Sequence, residues 1–131
     1  MLGLFGIFGR SPHLRELERR LHQLDLHPRL LTDALKLTAM KLVMQTHGPS
    51  PSDAALHRTA ELLAYCVLGE TTFSLQNGAE LAEAVDRRIR LALDASESLD
   101  AELILLTVYA GVIHPSVVEG YGIEVEGSQP S

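Results

Sequence analysis

His57 and Glu61 stand four residues apart in a stretch with helical periodicity, a spacing that puts an imidazole and a carboxylate on one face. Two such groups can begin a zinc or iron site, but a closed site needs further ligands. The Glu-x-x-His signature of carboxylate metal bundles is absent, and so is H-E-x-x-H. The pair therefore reads as a helix-face ion pair. His27 and His114 each precede a proline and read as a helix starter and a helix terminator. Neither has a nucleophile or carboxylate beside it in a recognised motif. Cys66, the single cysteine, falls late in a helix and on its apolar side, where burial raises a thiol pKa instead of activating it. Arg87, Arg88 and Arg90 form the one basic cluster after residue 60, and they read as a solvated face paired with acids. There is no phosphate-binding Walker loop, no G-x-S-x-G and no Cys-x-x-Cys. The residues call for no catalytic centre, no metal and no cofactor.

Composition bounds the alternatives. The chain has 131 residues, the size of one domain, and 46% of them are hydrophobic, which argues against disorder. A formal charge of −6 gives no footprint for nucleic acid. That charge is unevenly spread. Residues 1–60 hold eight Lys/Arg against five Asp/Glu, whereas residues 61–131 hold three against twelve. Such a split reads first as helix faces that differ in charge with nothing to recognise the difference, and second as a basis for head-to-tail contact between chains or an orientation toward an anionic surface. One cysteine allows no internal disulfide, and the opening MLGLFGIF lacks the charged start of a signal peptide. A cytoplasmic, soluble protein is the expectation.

The elements that must position these residues are helical. Residues 101–113, AELILLTVYAGVI, are apolar almost all round, interrupted by Glu102, Thr107 and Tyr109. A helix over 99–113 with no polar face needs other helices around it, so this stretch is expected at the centre. Gly111 beside Ala110 suggests room for a close helix crossing. Upstream, Ser11-Pro12 opens a first helix whose Leu14, Leu17, Leu21 and Leu24 form a narrow seam, which reads first as docking within the chain and second as the contact of a dimer. His27-Pro28 opens a second, running to Gly48-Pro49, with Arg29, Thr32, Asp33 and Lys36 on its polar side. Ser50 to Asp53 caps a third helix over 53–68, which has a polar edge of His57, Arg58, Glu61 and Tyr65. ETTFSLQ (70–76) suits an extended loop whose Phe73 and Leu75 plug the core. Asn77 with Glu80 then resembles a capping box for a fourth helix to about Ala95. A short turn follows Pro115.

The expected fold is all-α: a single compact bundle of about five helices over residues 11–122. An apolar arm (1–10) precedes it and a flexible tail (123–131) follows. The functional expectation is a non-enzymatic interaction or adaptor module that self-associates or docks a protein partner, using Phe5, Phe8, Leu14, Leu17, Leu21 and Leu24 as its interface. Two other readings accompany it. One is a peripheral membrane-surface protein that inserts Phe5 and Phe8. The other is a ligand-binding bundle with a pocket lined by Tyr65, Tyr109 and Met40.

Overall fold

A computed structural model of the chain describes residues 12–124, and all of its regular structure there is helical. The helices are α1 (Pro12–Gln23), α2 (Asp33–His47), α3 (Asp53–Leu68), α4 (Glu70–Asn77), α5 (Ala79–Asp94), α6 (Leu99–Tyr109) and α7 (Pro115–Tyr121), with a 3-10 turn at Pro28–Leu30. Seven helices among the described residues stand beside the expected bundle of about five, the short α4 and α7 making the difference. The apolar arm, its Phe5 and Phe8, the capping Ser11 and most of the tail lie outside those residues.

The centre is α3, not the apolar run near the C-terminus. Helix α3 packs against α1, α2, α4, α5 and α6. Its side chains from Leu62 to Cys66 are all buried, as are Leu56, Thr59 and Ala60. Small residues at Ala55, Ala60 and Ala64 let neighbours approach its backbone from several sides. Helix α6 has the more apolar sequence, yet Leu105 and Tyr109 stay exposed beside Glu102. Continuous hydrophobicity set the expectation; the number of faces with a partner decides the outcome. Helix α6 also stops at Tyr109, because Gly111 takes the left-handed conformation (φ 74°) and turns the chain. A Cβ at Gly111 would meet nothing within 4 Å, so no helix crosses closely there.

Helix starts follow side-chain caps. Ser52 accepts from the Ala55 N–H and Ser98 from the Ala101 N–H, both at 3.1 Å. Thr32 does the same for Leu35, so α2 begins three residues beyond the turn that His27-Pro28 opens. Lys36, expected on the polar side of α2, is 3% exposed. Its Nζ reaches Glu18 of α1 at 2.6 Å and Asp33 at 3.5 Å, which compensates the buried charge.

The segment read as a loop is α4. Gly69 (φ 87°) ends α3 and Gly78 (φ 99°) ends α4, and the eight residues between them coil to bury Phe73 completely. Leu75 is left 80% exposed, so it is no plug. Weak helix propensity in Thr-Thr is overridden by a single deep anchor and an acid, Glu70, at the positive helix end. Asn77 is correspondingly not the cap of α5. It is the last residue of α4, and its side-chain amide donates to the Leu24 carbonyl at 3.0 Å, tying α4 to the end of α1.

Candidate functional site

Three helices bring their charges together at Arg88 of α5. Its Nε and Nη2 donate to the two oxygens of Asp100, the second residue of α6, at 3.1 and 2.9 Å. Its Nη1 lies 3.6 Å from Glu61 of α3, beyond hydrogen-bond reach and without another partner. Only 12% of the Arg88 side chain is exposed, so this arginine is not the solvated residue the sequence suggests. Glu61 also meets His57 Nε2 at 3.2 Å, the ion pair expected from their spacing. A cleft of about 420 Å³ opens beside this node, lined among others by His47, Arg58, Thr59, Arg88 and Asp100. The charge of Arg88 is matched by two carboxylates, so the node is closer to a structural joint than to an anion receptor. Among the described residues no three His, Cys, Asp or Glu side chains are placed to hold a metal.

Cys66 is fully buried, and that burial pushes its thiol up to about 12. It stays protonated at neutral pH and is no nucleophile.

The second polar cluster links residues far apart in sequence. Tyr65, placed on a polar edge by the helical wheel, is completely buried. Its ring meets Phe73 edge-on at 5.3 Å between centroids. Its hydroxyl pairs with the Tyr121 hydroxyl at 2.7 Å, and Tyr121 in turn donates to Asp86 of α5. Asp86 accepts from Arg90 at 3.1 Å, and the Arg90 guanidinium sits 5.3 Å from the Tyr121 ring centre. Burial and the hydrogen bond to Asp86 push the Tyr121 hydroxyl up, and burial does the same to Tyr65. Burial would raise the Asp86 carboxyl as well, but the hydrogen bonds from Tyr121 and Arg90 outweigh it and hold the group below its ordinary value. A smaller cleft of about 220 Å³, with Glu70, Glu83, Asp86 and Tyr121 in its wall, adjoins this chain of hydroxyls.

Because Asp86 is lowered in the folded state, its contribution is present at neutral pH and lost as pH falls through the lowered value. Asp86→Asn should cost about 1 kcal/mol at neutral pH. It should also flatten the acid limb of stability. Urea melts from neutral to acid pH check this, and equal acid slopes in the two proteins would count against the assignment.

The expected interface fares differently. Leu14, Leu17, Leu21 and Leu24 are 1%, 0%, 0% and 5% exposed and belong to the hydrophobic core of this one chain. The seam of α1 is used internally, chiefly against α3, and is not open to a partner. Phe5 and Phe8 lie outside the described residues. Nor do Tyr65, Tyr109 and Met40 line one pocket: Tyr65 and Met40 are buried, whereas Tyr109 is 73% exposed. Among the described residues, the large apolar side chains that do face solvent are Leu30, Leu75, Leu91, Leu93, Leu105 and Tyr109. Composition gives no sign of these, because α5 and α6 reveal their outer faces only once their packing partners are known. No helix among the described residues is long and apolar enough to cross a membrane. No family model, curated protein or solved structure matches the chain.

Proposed function

We propose that the chain is a non-enzymatic helical interaction module that associates with copies of itself through the outer faces of α4, α5 and α6. The observation that carries this reading is the apolar surface those helices leave uncovered. Leu75, Leu91 and Tyr109 are each at least 70% exposed, and Leu93 and Leu105 add to them. Side chains of this size on three successive helices, α5 packed against both α4 and α6, are the usual anchors of a protein contact. Charge supports a second copy as the partner. These helices belong to the acidic half of the chain, with twelve Asp/Glu against three Lys/Arg over residues 61–131, while residues 1–60 carry a basic excess. Opposite halves of two copies attract, which favours a head-to-tail arrangement weakened by salt. The buried, fully protonated thiol of Cys66 and the paired charges at Arg88 fit a structural part better than a catalyst. A single cysteine with no disulfide suits the cytoplasm.

Light scattering on a size-exclusion column is the test. The full chain should elute with a mass above the 14.3 kDa monomer at low salt and approach it at high salt. Leu91→Asp and Tyr109→Asp, both at exposed positions, should lower the mass while leaving thermal stability within about 0.5 kcal/mol. A monomer mass at every concentration and salt level would end this reading.

A further inference from the structure

Helix α7 is fastened differently from the rest of the bundle. After Gly111 the chain crosses the C-terminal end of α3, where the His114 N–H donates to the Cys66 carbonyl at 2.8 Å. The His114 ring then caps α7: Nδ1 accepts from the Ser116 N–H at 3.0 Å and lies 2.8 Å from the Ser116 hydroxyl. The ring rests on Gly69, where a Cβ would come within 3.0 Å of it. One residue further, Val117 is 1% exposed and plugs the core. At the far end Tyr121 is tied to Tyr65 and Asp86. The helix thus has a histidine joint at one end, a tyrosine joint at the other, and one apolar plug between them.

Serine, threonine, asparagine and aspartate are the usual N-caps because their oxygens accept a hydrogen bond across the neutral range. Imidazole accepts through Nδ1 only while that nitrogen is unprotonated, and it is the side chain that ordinarily gains a proton between neutral and mildly acidic pH. A protonated ring would point an N–H at the Ser116 N–H, so the bond to the helix backbone is lost, and the ring's new N–H is left with the Ser116 hydroxyl oxygen as its acceptor.

We propose that α7 is a proton-released lid over the Tyr65–Cys66 end of α3, with His114 as its catch. The charged and titratable groups around it are Tyr65 and Cys66 of α3, Glu70 of α4, Glu83, Asp86 and Arg90 of α5, and Glu119 and Tyr121 of α7 itself. Asp86 is still ionised in mild acid and keeps hold of Tyr121, so the lid opens from the His114 end and swings about the tyrosine joint. His27 makes the same His-Pro cap, accepting from the Arg29 N–H at 3.1 Å. The turn it caps buries no side chain, so loss of that cap uncovers nothing.

Hydrogen exchange read by mass spectrometry, corrected for the intrinsic pH dependence of exchange, tests the lid. The Val117 and Val118 amides, both bonded to the His114 carbonyl, report its opening. In the wild-type chain their exchange should speed up about fivefold between neutral and mildly acidic buffer, the factor a side-chain cap is typically worth. His114→Asn supplies an acceptor that does not titrate, and its exchange should stay slow at both pH values. Acid-independent exchange in the wild type overturns the proposal. So does an asparagine variant that retains the wild-type acid response.

Discussion

Leu17→Ala should destabilise the fold by about 3 kcal/mol, and Leu17→Asp should abolish the cooperative unfolding transition. The side chain is wholly buried, one helical turn from Leu14 and Leu21, which are 1% and 0% exposed. Helix α1 makes its most extensive contact with α3, so a cavity at Leu17 opens against the element that all the large helices share. The surrounding side chains come from helices fixed at both ends and can collapse only in part, which places the loss in the middle of the range for leucine truncation. Aspartate has no partner at this depth: Lys36, the nearby buried cation, is already committed to Glu18 and Asp33. Urea melts monitored by circular dichroism separate the two uses of the seam. A Leu17→Asp chain that melts like the wild type and changes only its molar mass would put the leucines back on an open surface.

Arg88→Met should cost about 3 kcal/mol, the second largest loss expected from a single substitution. The guanidinium is the only cation facing Glu61 and Asp100 within 4 Å across the junction of α3, α5 and α6 among the described residues, apart from His57 on Glu61 when protonated. Those carboxylates are 14% and 23% exposed, and removal of Arg88 leaves them to repel each other in a poorly solvated gap. Some of the loss should return in Arg88→Met combined with Glu61→Gln, because one of the two stranded charges is gone. Recovery of about 1 kcal/mol in that double variant is expected, read as a coupling energy between the positions. Strictly additive losses would mean that Arg88 acts through packing of its methylenes instead of its charge.

The parts of this fold that local sequence announces are those fixed by local chemistry. Helix α3 can be placed from a serine cap, an acid in the first turn and a glycine stop, all within the segment itself. The core side of Cys66 follows from the same periodicity. Errors enter wherever a distant partner decides. Tyr65 looks polar on a helical wheel, and nothing within ten residues reveals that Tyr121 satisfies its hydroxyl. Asn77 resembles a cap because Glu80 follows at the right distance, yet Leu24, 53 positions earlier, claims its amide. The seam of α1 favours an internal contact, which the burial of its leucines bears out, but a stripe of leucines states only that some partner exists, so the sequence also allows an external one. The outward-facing Leu91 and Tyr109, and the Asp86–Tyr121 joint, become visible only when α5, α6 and α7 are assembled.

The Tyr65–Tyr121 bond has a consequence for synthesis on the ribosome. Tyr65 is made more than fifty residues before the hydroxyl that completes it, and a nascent chain folds from its N-terminal side as it emerges. Helices α1 to α3 can therefore gather while Tyr65 still lacks its partner and the Cys66 carbonyl its donor. During that interval the centre of the domain is exposed at one end, and closure waits for the last described helix to leave the exit tunnel. A stalled chain ending near residue 110 would present that unfinished end to chaperones, whereas the finished chain hides it.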